Sequence, residues 1–378
     1  MLTKKNTRLT LTLCSALALL SCGGVESQSE VIIDIDQKLN EEISFFDVFS
    51  KVDIIPLEDC CSLSNGTYSE PQYMSISKSR IYILDEKTYD IAEFSTDGRF
   101  IELHKKKGRG RGEYTLTYGL WLDENGNDLG VLDPRGAVYH YDTSNHLEFI
   151  GKELLEPFTA VHNYVEYDGR KVLFSISEDD HIAISYNGKT TPIDYDFPSQ
   201  NRNMFHAAYP FFFTADGLCY YEGSTGTVFR LDIEQAKISE ALIWDFCGHN
   251  IDAGRMSYTA ESFSDYLTNE SFDSVFPFLN IVFASGHYFA DVLYHNKEHF
   301  LVYDANTSQS HFCSCFSEGC RVKTGLEYCG CIYTLVDASA LHEFVNESVL
   351  DQNNRNILST ISGRTNPVIL KYTVLNQF

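Results

Sequence analysis

Along residues 80 to 375 the apolar and polar positions alternate in short runs, and the runs come in groups. "RIYILDEKTYDIAEFSTDGRFIEL", residues 80 to 103, sets the pattern: an apolar strand, a turn with acidic residues, a second strand ending in an aromatic, then Asp-Gly. Alternation over four to eight positions marks a half-buried strand, and Asp-Gly, Asn-Gly and Pro-Arg-Gly supply the turns. The unit returns at 128 to 150, where Asp133 and Tyr141 take the places of Asp85 and Phe94, and in weaker copies starting near residues 172, 218, 288 and 332. With the first two starts near 81 and 129, the spacings are about 48, 43, 46, 70 and 44 residues.

That period is the length of a four-stranded propeller blade. The reading is therefore all-β: a six-bladed β-propeller of four-stranded blades over residues 45 to 378. An α/β sheet is excluded because no amphipathic helix separates the strands before the one long gap. The excess in that gap falls on 256 to 276, where Phe263, Tyr266 and Leu267 recur at helical intervals and predict a helical insertion. A second helical stretch is expected at 340 to 361, with Leu341, Phe344, Val345 and Val349 on one apolar stripe. A ring must also be closed without leaving edge strands exposed. "KVDIIPLED", 51 to 59, has no partner of its own, and "NPVILKYTVL", 366 to 375, gives the last blade only its third strand. The early segment is expected to complete the last blade, with Ile54 and Ile55 beside Val368 and Leu370.

Ahead of the strands, Lys4, Lys5 and Arg8 precede an apolar run from Leu9 to Leu20, too short to span a bilayer. Residues 1 to 21 read as an export signal. The run ends in "LLSC", which resembles the lipobox of bacterial lipoproteins and implies lipidation at Cys22. Residues 22 to 44 would then be the lipidated N-terminus and tether, beginning with the polar "GGVESQSE". The resulting location is the cell envelope, anchored to a membrane, with periplasm and outer surface both open. The full chain carries 29 Lys and Arg against 53 Asp and Glu, a formal charge of -24. This balance repels nucleic acid and anionic lipid head groups. Nucleic acid is excluded as a partner.

"GRGRGEY", 108 to 114, looks at first like a phosphate loop. No Lys-Ser or Lys-Thr follows, and "YTLTYGLWLDENGN" alternates as a strand rather than opening a helix, so neither nucleotide motif fits. The glycines instead suit a passage from the outer strand of blade one to the inner strand of blade two. "GRGRGEY" also resembles the Gly-x-Gly-Pro-Gly-Glu-Tyr element of the six-bladed β-propeller lipoproteins of Bacteroides-like bacteria. So do "IIPLE", "IYILD" followed by "FSTDG", and "NPVIL". The resemblance spans roughly 45 to 375 and is strongest between 51 and 145. Arg111 stands where that family has Pro, and blades three to five are degenerate. It implies an architecture and no particular activity.

Propeller ligands usually sit at the channel mouth, so the loops leading into the inner strands supply the candidates: Arg109, Glu113 and Tyr114, then His162, then His206 and Tyr209. Two histidines such as His162 and His206 could share a metal. No Gly-x-Ser-x-Gly elbow or His-Glu-x-x-His is present, and acidic groups such as Glu178, Asp179 and Asp180 suit solvated turns. Cys313, Cys315, Cys320, Cys329 and Cys331 form two Cys-x-Cys pairs whose spacing suits disulfides or buried thiols near blades five and six rather than chelation. No catalytic residue, resident metal or cofactor is assigned. The leading expectation is a lipid-anchored binding or scaffold protein for a peptide, glycan or protein partner. The alternative is a metal-dependent lyase or hydrolase with its site in the channel, and a third reading is a purely structural envelope component.

Overall fold

A computed structural model describes residues 29–64, 73–158, 160–175, 181–195, 209–223, 225–251, 271–361 and 366–375. Six sheets follow one another along the chain, each built on four antiparallel strands, and they are arranged around a ring in which inner strands of neighbouring blades meet. The inner strands are Met74–Ile76, Gly119–Leu122, Val161–Tyr167, Phe211–Thr214, Phe276–Ala284 and Leu326–Tyr328. Each runs from a lead-in loop toward the turn joining it to the second strand of its blade, so the ring has a lead-in end and a turn end. The blade count and the four-stranded blades match the expectation from the repeat.

Closure occurs as the sequence predicts. Phe49–Pro56 pairs antiparallel with Val368–Val374 as the outer strand of blade six, with Ile54 opposite Leu370, Ile55 opposite Ile369 and Pro56 opposite Val368. The motifs at this seam have physical roles. The Asn366 amide donates to Glu58 O at 3.0 Å and its carbonyl accepts from Leu63 N at 3.1 Å, tying "NPVIL" to the chain beyond "IIPLE". Gly98 of "FSTDG" has φ +85°, and a Cβ there would collide with the Pro56 carbonyl. Only glycine lets blade one close against the seam. The recurrent aspartates lock turns: Asp85 accepts from Thr88 N at 2.7 Å and from Ser64 N, and Asp304 accepts from Asn306 N at 2.7 Å. Burial opposes the Asp85 charge, yet these donors hold its carboxyl below the ordinary range.

Blade four carries a fifth strand. Ser29–Ile32 adds in parallel to Lys237–Asp245, Ser29 opposite Leu242 and Ile32 opposite Asp245. This docked strand lies within the stretch expected as tether. Val31, Ile33 and Ile35 are buried against Leu242, Trp244 and neighbours in blade five, and that burial orders a segment too short to announce itself by periodicity. Short helices Ile35–Lys38 and Phe45–Val48 then lead to the closing strand. The expected insertion at 340 to 361 folds as helices Leu341–Phe344 and Gln352–Thr360. Most of the other one, 256 to 270, lies outside the described residues; Ser271–Asp273 forms a single 3-10 turn, and the inner strand of blade five begins at Phe276.

Two blade junctions differ in kind. Between blades five and six, Phe45, Phe49, Phe289, Phe300, Phe316 and Tyr372 form one aromatic cluster, with Phe49 5.2 Å from Phe45 and from Tyr372. Between blades two and three an apolar cluster that includes Leu132, Val138, Val161 and Leu173 is joined by charged contacts. His140 Nδ1 lies 2.8 Å from Asp128, Lys171 pairs with Glu153 at 2.8 Å, and Ser185 donates to Glu153 at 3.2 Å. Burial works against a charge on His140, but the Asp128 and Glu153 carboxylates raise its pKa to about 9. Hydrogen bonding to His140, together with Lys171, holds Glu153 at about 2.

Candidate functional site in the central channel

The inner strands frame a cavity of about 620 Å³ at the turn end of the ring. Blade one contributes Met74 to Ser79, blade two Leu120 to Asn127, blade six Leu326 to Tyr328, and Tyr209 reaches in from the segment before blade four. Trp121 and Tyr209 form its aromatic wall, near-parallel with ring centroids 6.3 Å apart and an interplanar angle of 16°, and Phe213 lies 6.4 Å from Trp121. Tyr209 is 8% exposed. Its hydroxyl and the indole Nε1 of Trp121 are both buried and have no hydrogen-bond partner among the described residues. A buried donor without a partner carries a desolvation cost of about 1–3 kcal/mol, which a bound polar group or water removes.

Around this wall the lining is polar. Arg80 donates to Glu93 at 2.8 Å, so its charge is already balanced. Asp123 accepts from Asn127 N at 2.6 Å and Asp128 N at 2.9 Å, which fixes the turn of blade two. The Thr143 hydroxyl donates to Gly126 O at 2.7 Å. Glu327 accepts from Gly330 N at 2.8 Å, and burial raises its pKa.

Of the six residues singled out from the sequence, Tyr209 lines this cavity. Arg109 is exposed on the glycine loop. Glu113 accepts from Gly110 N at 2.7 Å and fills the space that side chains at Gly108 and Gly110 would need. Tyr114 is fully buried between blades one and two, its hydroxyl donating to Tyr89 O at 2.7 Å. The loop thus curls around its own glutamate while carrying the chain from the outer strand of blade one, Phe100–His104, to the inner strand Gly119–Leu122. His162 belongs to the inner strand of blade three rather than to a loop, packed 5.3 Å from Tyr118 and 6.3 Å from Phe174. His206 lies outside the described residues. Trp121, one of two tryptophans, is not among the sequence candidates, because a residue inside a strand gives no loop signal.

One group among the described residues brings ligand atoms of Glu93, Glu102 and His104 within 4.8 Å of one another. Those atoms are already engaged: His104 Nε2 sits 2.9 Å from Glu93, Arg80 bonds Glu93, and His146 pairs with Glu102 at 2.7 Å. They form an ion-pair ladder linking blades one and two. The nine cysteines among the described residues are free thiols: Cys219, Cys313, Cys320 and Cys331 are buried, Cys61 is half-buried, and Cys60, Cys247, Cys315 and Cys329 are exposed. Cys329 occupies a turn with φ +52°, not a strand. Burial pushes the Cys313 and Cys320 thiols up to about 12, far from the reactive thiolate range.

The family described as "Domain of unknown function (DUF4934)" matches residues 30–373. The chain belongs to this DUF4934 family. A Bacteroides fragilis protein described as "Putative exported protein" is similar in fold, with a TM-score of 0.69 at 15% identity over 92% of this chain and 100% of that one. A member of the DUF4221 family from Bacteroides vulgatus aligns with a TM-score of 0.54 at 9% identity, over 88% of this chain and 98% of the other. No curated protein matches the sequence. At these identities the likeness is one of fold. Among the described residues of this DUF4934 chain, no helix is long and apolar enough to cross a membrane.

Proposed function

We propose that this DUF4934 protein is a lipid-anchored binding protein of the cell envelope whose ligand occupies the central cavity at the turn end of the ring. The observation that carries the reading is a cavity of about 620 Å³ at the centre of the ring, large enough for a small molecule and lined in part by the stacked Trp121 and Tyr209 rings. The export signal and "LLSC" support the location, and the fold relative described as exported agrees with it. A binding role also suits the polar rim around the cavity, which includes Ser75, Asp123, Asn125 and Glu327.

Thermal-shift measurements on the purified protein with neutral sugars, phosphates, amines and short peptides test the reading. A concentration-dependent stabilisation that disappears in Trp121→Ala supports it. Stabilisation indifferent to Trp121 and Tyr209, or none with any class, overturns it. Anchoring is tested separately by fatty-acid labelling in cells, which Cys22→Ala abolishes if the lipid is attached there.

A further inference from the structure

We propose that Glu102, His104 and His146, backed by Glu93, form a zinc site that clamps the outer edge of blade one to blade two, apart from the central cavity. Glu102 and His104 stand two apart on the strand Phe100–His104, so their side chains share a face. Glu93 is directly opposite Glu102 on the neighbouring strand Ile91–Ser95. His146 comes from the turn that precedes the outer strand of blade two, Glu148–Leu154, and meets Glu102 Oε2 at 2.7 Å. Ligand-capable atoms of Glu93, Glu102 and His104 all lie within 4.8 Å of one another, and Glu93 and His104 are buried.

The two nitrogens of His104 have different surroundings. Nε2 lies 2.9 Å from Glu93 Oε2, while the other oxygen of Glu93 accepts from Arg80 Nε at 2.8 Å. A carboxylate so placed accepts from Nε2–H, which makes Nδ1 the lone-pair nitrogen of the neutral ring. Nδ1 faces Glu102 Oε1 at 3.9 Å, too far for a hydrogen bond. Two acceptors facing one another across such a gap call for a cation between them. Ligand atoms bound to a tetrahedral zinc at about 2.0–2.1 Å lie about 3.3 Å apart, so a small side-chain shift closes the 3.9 Å gap onto the ion. His146 is the member that turns: its side chain is 83% exposed, with room to swing Nδ1 from the Glu102 oxygen onto the same ion. Two imidazoles with one carboxylate suit zinc, whereas calcium and magnesium take oxygen ligands. Glu93 then fixes the His104 ring, as carboxylates behind metal-bound histidines do.

Zinc chloride is the probe, titrated calorimetrically into the metal-stripped protein, with calcium and magnesium chlorides as controls. The exposed thiols of Cys60, Cys247, Cys315 and Cys329 are first blocked with iodoacetamide, because thiols compete for zinc. The expected result is one zinc per chain with micromolar or tighter affinity, a rise in the thermal midpoint, and no response to calcium or magnesium. His146→Ala, at an exposed position whose loss spares the fold, and Glu102→Gln each weaken zinc by about tenfold or more, and Glu93→Gln weakens it by about tenfold to a hundredfold without changing the stoichiometry. Cobalt(II) in place of zinc gives a visible spectrum lacking a thiolate charge-transfer band. Absence of stoichiometric zinc binding overturns the site, as does an affinity unchanged in both His146→Ala and Glu102→Gln. A cobalt–thiolate band also overturns it, by assigning the metal to cysteine, and calcium bound as tightly as zinc overturns the nitrogen ligands.

Discussion

The junction between blades five and six and the junction between blades two and three both bury apolar side chains, the first chiefly aromatic rings and the second an aliphatic cluster with a set of ion pairs added to it. At the first, Phe49 from the closing strand enters a cluster of five other aromatic rings; at the second, His140, Asp128, Glu153 and Lys171 cross-link two sheets. Burial of apolar surface is indifferent to pH and sensitive to lost volume. The charged junction depends on protonation and on salt. A ring closed by its chain ends therefore places its pH-independent contact where the two termini must find each other.

Breaking the aromatic side should cost most. Phe49→Ala is expected to lose about 3–5 kcal/mol in chemical denaturation, with the same loss at pH 6 and pH 9; a strongly pH-dependent loss would defeat the comparison. At the charged side, His140→Leu should cost about 1–3 kcal/mol near pH 6. The folded-state pKa of His140, about 9, lies above the ordinary 6.5, so its contribution is complete below 6.5 and lost as pH rises through 9. Glu153, held at about 2, contributes above 4.5 and loses that contribution as pH falls through 2. Denaturation midpoints across this range should show the His140→Leu deficit shrinking toward pH 9.

Asp291 sharpens the contrast, being a single carboxyl buried near the apolar junction. Burial raises its pKa to about 7 despite the opposing charge of Lys323 and the hydrogen bonds from Thr324 N at 2.9 and 3.1 Å. The folded state holds this proton more tightly than the unfolded chain, so stability falls as pH climbs from 3.8 to 7. Asp291→Asn should flatten that slope, a difference of about 3 kcal/mol in unfolding free energy between pH 4 and pH 7. The smallest effect belongs to Tyr209→Phe, which removes an unpartnered donor and, without ligand, should leave stability within about 1 kcal/mol of the parent or slightly above it.

The ring was legible because its information is periodic. Six spaced copies of one strand pattern, together with two orphan strands at 51 to 59 and 366 to 375, specify both count and closure, and Ile54 does stand opposite Leu370. The site was less legible. Looking to the lead-in loops put Arg109, Glu113 and Tyr114 forward, whereas Glu113 and Tyr114 serve the loop and the core. The cavity instead opens among inner strands and their turns, where Trp121 sits in an alternating run that looks the same whether its side chain meets core or channel. The strand Ser29–Ile32 was hidden for another reason: its partner, Lys237–Asp245, lies some two hundred residues away, and four residues carry no period.

The direction of that added strand has a consequence for access. Because Ser29–Ile32 runs parallel to the outer strand of blade four, the chain arrives at Ser29 from the side of the disc where third strands turn into outer ones, which is also the side of the cavity mouth. Six residues separate Ser29 from Cys22, a reach of about 24 Å at full extension. An acyl chain on Cys22 would hold the opening toward the bilayer, so that molecules displayed on the membrane surface, rather than those diffusing in from bulk solvent, would meet it first.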